Sequence, residues 1–319
     1  MHRFDHLSQN SKGILCLMGA LVFLTFSDSI IKWLSPRYAL HQITLYRAGF
    51  AMLVVFFIVQ LEGGLQTLKT RRPLLHLFRG LLLVLANMFF FLGLSVMPLA
   101  EVVALFFTAP LFICLLARPV LGERVGIGRW IAIVVGLIGV IVMLRPDGES
   151  FSWFSILPVL AALTYAAMQM VTRKLGMRDS AGALTFYIQI AFILVSVLSG
   201  LIMGDGRFNT FNQPALEFLF RAWHWPDIND LGLLIMCGVI VAFGSYLMSQ
   251  SYRIAQASVV APFEYTSLPF ALLVGFVVWG DLPGANDIAG SILIVGSGLL
   301  VVWFELHNGR KKSLQRGRA

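Results

Sequence analysis

The sequence predicts an all-α integral membrane protein, with ten transmembrane helices arranged as two inverted five-helix repeats. Three observations predict it. Of 319 residues, 58% are apolar and 13% charged, with a mean hydropathy of +0.82; soluble domains run about 45–50% apolar and about 25% charged. The apolar residues gather into ten stretches, each near the roughly 20 residues that a bilayer-spanning helix needs. Short motifs of the first half recur, in order, in the second.

The first half carries apolar stretches near 13–34, 39–60, 75–97, 99–120 and 127–144. The second carries them near 151–172, 181–203, 229–252, 257–279 and 285–304. Leu, Val, Ile and Phe dominate most of them, as lipid-facing helices require. The first holds Asp28 and Lys32 and has a counterpart in the second half, so it reads as a membrane helix and not as a cleaved leader. Ser35-Pro36-Arg37 separates the first two spans, Arg145-Pro146-Asp147-Gly148 the fifth and sixth, and Asp281-Leu282-Pro283-Gly284 the last two. Proline lacks the amide donor and glycine is conformationally loose, so both stop helices. The long connection near 204–229 contains Ala222-Trp223-His224-Trp225-Pro226, whose indoles suit the headgroup region.

The formal net charge of +8 is explained by where the charges fall. With the amino terminus in the cytosol, cytosolic segments hold seventeen Lys and Arg and the opposite side four; Lys32, Arg47 and Arg79 lie within spans. That asymmetry is the positive-inside pattern, and it puts both termini in the cytosol of a multi-pass inner-membrane protein. Arg310-Lys311-Lys312 in the tail suits anionic membrane lipids, and no nucleic-acid partner is expected. Cys16, Cys114 and Cys237 all fall inside apolar runs, which speaks for packing and against a disulfide framework or a metal site.

The repeat is written in matched motifs. Ala100-Glu101-Val102-Val103-Ala104 corresponds to Ala257-Ser258-Val259-Val260-Ala261, and Thr108-Ala109-Pro110-Leu111-Phe112 to Thr266-Ser267-Leu268-Pro269-Phe270. Gly122-Glu123 corresponds to Gly280-Asp281, Leu24-Thr25-Phe26 to Leu163-Thr164-Tyr165, and Thr44-Leu45-Tyr46 to Thr185-Phe186-Tyr187. The chain therefore divides into a first five-helix repeat at 1–145, a second at 151–305 and a basic cytosolic tail at 306–319. Five is odd, so the second copy enters the membrane from the other side, which gives an inverted repeat. Two similar halves in opposite orientations have inward-open and outward-open states of similar energy, the basis of alternating access.

These residues resemble the EamA-type branch of the drug/metabolite transporter superfamily, from about residue 13 to 305. The resemblance rests on Pro98-Leu99-Ala100-Glu101, Ala109-Pro110, Leu121-Gly122-Glu123-Arg124 and the helix with Gly136 and Gly139. In the second half it rests on Ala261-Pro262-Phe263-Glu264-Tyr265 and Gly280-Asp281-Leu282-Pro283. His76-Leu77-Phe78-Arg79-Gly80 is similar to bacterial members related to S-adenosylmethionine carriers. The resemblance implies a carrier of small solutes, with a central cavity lined by helices one, three, four, six, eight and nine.

Ionisable groups at mid-membrane cost about 2.5–3.5 kcal/mol each on insertion scales, so those retained there are candidates. Asp28, Arg47 and Glu264 are deep; Lys32 and Arg79 are near enough to an end to snorkel. Asp28 and Lys32 are four apart and suit a pair on one helical face, and Arg47 needs a carboxylate or carbonyl partner. Glu264, beside Tyr265, is the leading candidate for solute contact and suits a proton-linked role. Arg79 is a candidate anion contact, its alternative being lipid phosphate. Polar rows complete the set: Tyr165, Gln169 and Arg173; Tyr246, Gln250 and Arg253, with Ser245, Ser249 and Tyr252 on an adjacent face; and Thr185 with Gln189. Such rows face helices or water, and interhelical hydrogen bonding accounts for more than half of them.

Gly136, Gly139, Gly290, Gly296 and Gly298 permit close helix approach; packing within one chain is the favoured use, a homodimer contact the other. No HExxH pair, Gly-x-Ser-x-Gly elbow or GxxxxGK[ST] loop occurs, so no catalytic residue, metal or cofactor is expected. The reading is a secondary transporter of a small amphiphilic metabolite: an amino acid, an organic acid or a nucleoside-type derivative. The competing readings are an integral-membrane enzyme acting on lipid-type substrates and a non-transporting scaffold. The first needs a cluster of His, Asp or Glu at the membrane edge, and the second has no need of deep charges.

Overall fold

The computed structural model describes residues 8–96, 99–123, 125–144, 155–210, 214–279 and 284–316, and every regular element among them is helical. The first part of the chain gives α1 (Gln9–Leu34), α2 (Leu40–Leu61), α3 (Pro73–Val96), α4 (Leu99–Phe106), α5 (Ala109–Leu121) and α6 (Ile127–Leu144). The second gives α7 (Ile156–Gly176), α8 (Ala181–Met203), α9 (Pro214–Phe220), α10 (Ile228–Ile254), α11 (Ala257–Val260), α12 (Ser267–Trp279) and α13 (Ala285–Arg316). Pro98, Arg124, the turn at 145–148 and Gly280 to Pro283 lie outside the described residues.

Among the described residues, seven segments are long and apolar enough to cross a membrane: α1, α2, Pro73–Gly93 of α3, α7, α8, α10 and Ala257–Val274. Ala109–Leu121, Ile127–Val142 and Ala285–Val301 are apolar but shorter. The basic tail expected from 306 continues α13 as helix to Arg316.

Two of the apolar stretches are not continuous α-helix. The stretch 99–120 breaks between α4 and α5, because Pro110 has no amide to give the Phe106 carbonyl; the Thr108 amide and hydroxyl both turn back on the Leu105 carbonyl, at 3.1 and 2.6 Å. The stretch 257–279 passes through a 3₁₀ segment, Ala261–Thr266, that opens on Pro262. There Thr266 and Ser267 hydroxyls donate to the Phe263 and Glu264 carbonyls at 2.6 and 2.8 Å. Hydropathy passes through both breaks unchanged, since it is blind to the hydrogen-bond ladder. A 3₁₀ stretch inside a helix leaves backbone groups to be satisfied locally and often marks a functional hinge.

Helix α10 is the hub, packed against α1, α2, α7 and α8. It runs antiparallel to α1, with Gly13 against Ala255 near one end and Ser27 against Cys237 further along. Helices α6 and α13 form another antiparallel pair, closed by glycine: a Cβ on Gly139 would stand 2.9 Å from the Gly290 carbonyl oxygen, and one on Gly136 3.1 Å from Ser297 Oγ. Gly298 lies against Phe263, whereas Gly296 meets nothing nearby. All three cysteines are free, and Cys114 and Cys237 are buried. In the long connection Trp223 is folded inward, its ring at the Gly200 backbone and its indole N–H on His41 Nδ1, while Trp225 stays exposed.

Candidate functional site

Glu264 sits in the 3₁₀ segment, where the tighter winding turns its side chain towards α7 and α10. Two phenols meet one of its oxygens: Tyr252 donates to Oε1 at 2.5 Å and Tyr165 at 3.1 Å. Gln169 Nε2, one turn along α7, donates to the Tyr165 hydroxyl at 2.7 Å. Among the described residues no hydrogen bond reaches Oε2, and Glu264 retains 7% exposure. The Phe106 ring lies 5.6 Å from Tyr165, with Phe90 5.3 Å from Phe106. A carboxyl held on one oxygen beside aromatic rings is chemically suited to a positively charged or hydrogen-bonding group on a flat, partly apolar ligand.

Asp28 and Arg47 mark a second level. Asp28 is seven residues after Leu21 and eleven after Leu17, so it shares their helical face; both leucines are buried, yet Asp28 is exposed. Arg47 is likewise one turn from Ile43 and Ala51, both buried, and is itself half-buried. Both charges therefore lie on the packed faces of their helices. Arg47 acts electrostatically on Asp28, and its guanidinium lies 5.4 Å from the Phe192 ring centre. Thr266 touches Met18 Sδ at 3.4 Å; ten residues of α1 separate Met18 from Asp28, about 15 Å of helix. Glu264 and Asp28 thus occupy different depths.

Arg79 does not snorkel. It is 2% exposed, and its guanidinium donates to Thr172 Oγ1 at 2.7 Å, the Leu184 carbonyl at 2.8 Å and Ser249 Oγ at 3.4 Å. It ties α3 to α7, α8 and α10 through neutral acceptors, which removes it from lipid phosphate.

The remaining candidates divide. Tyr246 donates at 2.8 Å to Glu62 at the end of α2, whose other oxygen accepts the Gly182 amide at 3.0 Å. Gln250 accepts from Arg253 at 3.2 Å. Both therefore stand apart from Glu264. Tyr265 points away from its neighbour Glu264 and is buried with Val140 and Ile294, its hydroxyl without a hydrogen-bond partner among the described residues. Thr185 and Gln189 make the interhelical contacts expected of them, to Ser249 and Ser245 of α10. Two groups stand in these networks that sequence reading did not single out as candidates. Tyr252 was legible only as a member of a polar row, and Glu62 had no signal beyond an acid at a helix end.

The described residues thus make a multi-pass helical membrane protein with ionisable groups on interior faces at two depths and a broken helix carrying one of them. Residues 11–145 match the EamA-like transporter family. The first part of the chain thus carries an EamA-like transporter domain, and relatives that match nearly the whole chain are named as transporters of small metabolites. The chain is 26% identical to an S-adenosylmethionine uptake transporter of Rickettsia prowazekii, over 94% of this chain and 96% of the relative. It is 28% identical to a riboflavin transporter of Rhizobium johnstonii, over 94% and 93%. A solved crystal structure superposes with a TM-score of 0.74 at 17% identity, covering 92% of this chain and 97% of the other, which speaks for the fold.

Proposed function

We propose that this transporter moves a small amphiphilic metabolite with a flat ring system across the inner membrane by alternating access, with Glu264 as a solute contact. The observation that carries the reading is the Glu264 carboxyl, fixed on Oε1 by Tyr252 and Tyr165 and open at Oε2. Tyr165, Gln169 and Phe106 complete the contact region, and Asp28 with Arg47 forms a second station. Tyr246, Gln250 and Tyr265 are better read as structural. S-adenosylmethionine and riboflavin, the solutes in the relatives' names, are both heteroaromatic compounds with polar chains, which suits a carboxyl among aromatic rings.

The reading includes ten helices in two inverted repeats, 1–145 and 151–305. It is supported by matched motifs and by matched breaks: α4 to α5 at Thr108-Ala109-Pro110, and the 3₁₀ segment before Ser267-Leu268-Pro269. Broken helices beside an interior site are the form this mechanism takes in other carriers. Both termini are assigned to the cytosol from the basic-residue asymmetry. Contacts at one end of the bundle support this: Gln256 meets Asn10 of α1 and Arg129 of α6, and Phe304 of α13 lies at Gly128 of α6. Lipid covers the outer apolar faces, and the α6–α13 glycines support a one-chain unit over a homodimer.

Purified protein in liposomes tests this, with S-adenosylmethionine and riboflavin as first probes, followed by flux and by recovery of the solute unchanged. Glu264→Gln should reduce uptake about tenfold or more, the weight of one charge-assisted contact, or shift its pH profile, with insertion and folding intact. Full activity with an unchanged pH profile removes Glu264 from the mechanism.

A further inference from the structure

Glu123 stands outside the site described above, yet its carboxylate is the most heavily bonded among the described residues. It follows Gly122, which ends α5 in the left-handed conformation (φ 71°). Gly122 N–H donates to the Arg118 carbonyl at 3.0 Å, the αL type of helix ending, and Glu123 N–H donates to the Ala117 carbonyl at 3.1 Å. That turn aims the side chain at the start of α11. There Oε1 accepts the Ala257 amide at 3.1 Å, and Oε2 accepts the Ser258 amide at 3.1 Å and its hydroxyl at 2.9 Å. The free amides at a helix start are matched by a negative charge.

Two arginines reinforce the junction. Arg173 of α7 lies 3.6 Å from Glu123 Oε1 and also bonds the Arg253 carbonyl at the end of α10. Arg129 of α6 donates to Ser258 Oγ at 2.6 Å and to Gln256 Oε1 at 2.9 Å. Below this junction Cys114 is buried, its thiol 3.6 Å from the Ser258 carbonyl. Two cavities adjoin the junction, one of about 520 Å³ against Glu123, Arg129, Arg173 and Gln256, and one of about 790 Å³ against Glu123, Cys114 and Trp130.

We propose that Glu123 is a positioning residue of the transport cycle: its bond to the start of α11 holds the cytosolic end closed, and its release opens that end and moves the segment that carries Glu264. This rests on the alternating-access reading. Glu264 is six residues beyond Ser258, joined by α11 and the 3₁₀ segment, so the start of α11 and the solute contact cannot move independently. The bonds are suited to reversal, because Glu123 and both arginines already line a cavity.

The native cysteines supply the test. In a Cys16→Ser background, inside-out vesicles are treated with a membrane-impermeant maleimide and labelling of Cys114 is timed. Glu123→Gln, which puts an amide nitrogen where an acceptor stood, should raise the Cys114 rate about tenfold or more. Cys237, towards the other end of α10, should not become faster when right-side-out vesicles are labelled. Arg173→Gln should give a smaller increase, and the double variant no more than Glu123→Gln alone, since both act on one junction. The proposal is overturned if Cys114 reacts at the parental rate in both variants. It is equally overturned if Cys114 and Cys237 speed up together with a lower melting temperature, which marks general loosening. If Glu123→Gln does not fold, Arg173→Gln decides by the same criteria. Liposome flux of the parent chain is read separately, so loss of the carrier reading is distinguished from loss of the Glu123 role.

Discussion

Replacing Thr172 with valine isolates what holds a buried guanidinium in the membrane interior. Arg79 Nε reaches Thr172 Oγ1 at 2.7 Å, while its other two bonds go to the Leu184 carbonyl at 2.8 Å and to Ser249 Oγ at 3.4 Å. Valine keeps the threonine shape, so packing changes little and the cost is mainly the missing acceptor. A hydrogen bond to a charged group is worth about 1.5–3 kcal/mol, and a buried donor left unpaired adds its desolvation. We therefore expect a loss of about 2–3 kcal/mol. The Thr172 hydroxyl also donates to the Met168 carbonyl at 2.9 Å, but that bond is supplementary to the helix. Thr172→Ser keeps the oxygen and should lose about 0.8 kcal/mol for its methyl. Ser249→Ala removes two long 3.4 Å contacts, from Arg79 and from Thr185, and should cost less than about 1 kcal/mol. Reversible unfolding in mixed micelles measures all three. A Thr172→Val variant within 0.5 kcal/mol of the parent (roughly the additivity error of such measurements), or a Ser249→Ala variant that costs more than Thr172→Val, refutes the assignment of Arg79 to this bond.

Two further outcomes follow from the packing and from the loop between α1 and α2. A Cβ on Gly136 would stand 2.7 Å from Tyr265 Cε2, so Gly136→Ala should destabilise by about 1–3 kcal/mol, and combination with Tyr265→Leu should recover part of that loss in the same unfolding assay. Tyr38 donates to Asp230 at 2.9 Å and accepts the Asp227 amide at 3.2 Å; Tyr38→Phe should cost about 1–2 kcal/mol, and a variant as stable as the parent would show that this staple carries no weight.

Among the described residues, hydropathy located seven segments long enough to cross and three shorter apolar helices, because the bilayer imposes one simple demand, length without charge. It did not locate the interruptions, although Pro110 and Pro262 stood in motifs already quoted, since a chain can stay apolar while its hydrogen-bond ladder fails. The role of Arg79 was misjudged for a related reason. Distance to the end of its own helix was taken as distance to water, but α7, α8 and α10 surround the side chain and supply its acceptors. Tyr252 illustrates the limit of helical rows. Tyr246 and Tyr252 lie on adjacent faces of α10, and which face meets Glu264 depends on the rotation of α10 against α7, a tertiary quantity. Gly122-Glu123 was visible as a repeated dipeptide, yet its partner lies more than 130 residues away at Ala257 and Ser258.

The row on α7 has a mechanical meaning that spacing alone did not disclose. Tyr165, Gln169 and Arg173 lie at i, i+4 and i+8, about 12 Å along one face. Its first member bonds Glu264, and its last approaches Glu123. One helix face therefore touches both the proposed solute contact and the proposed closure. A helix transmits displacement along its axis with little loss, because every turn is bonded to the next. Under the proposed cycle, the segment from Ser258 to Glu264 and the face from Arg173 to Tyr165 form two connections between the same two carboxylates. Movement at Glu123 must then either displace both together or shear the Tyr165–Glu264 bond. Tyr165 lies on that moving face and Tyr252 on α10, so the Tyr165 bond is the place where shear would be taken up. Tyr252, on α10, would keep Oε1 through the change. The carboxyl would then turn on one retained bond, with Oε2 free to follow the solute from one side of the membrane to the other.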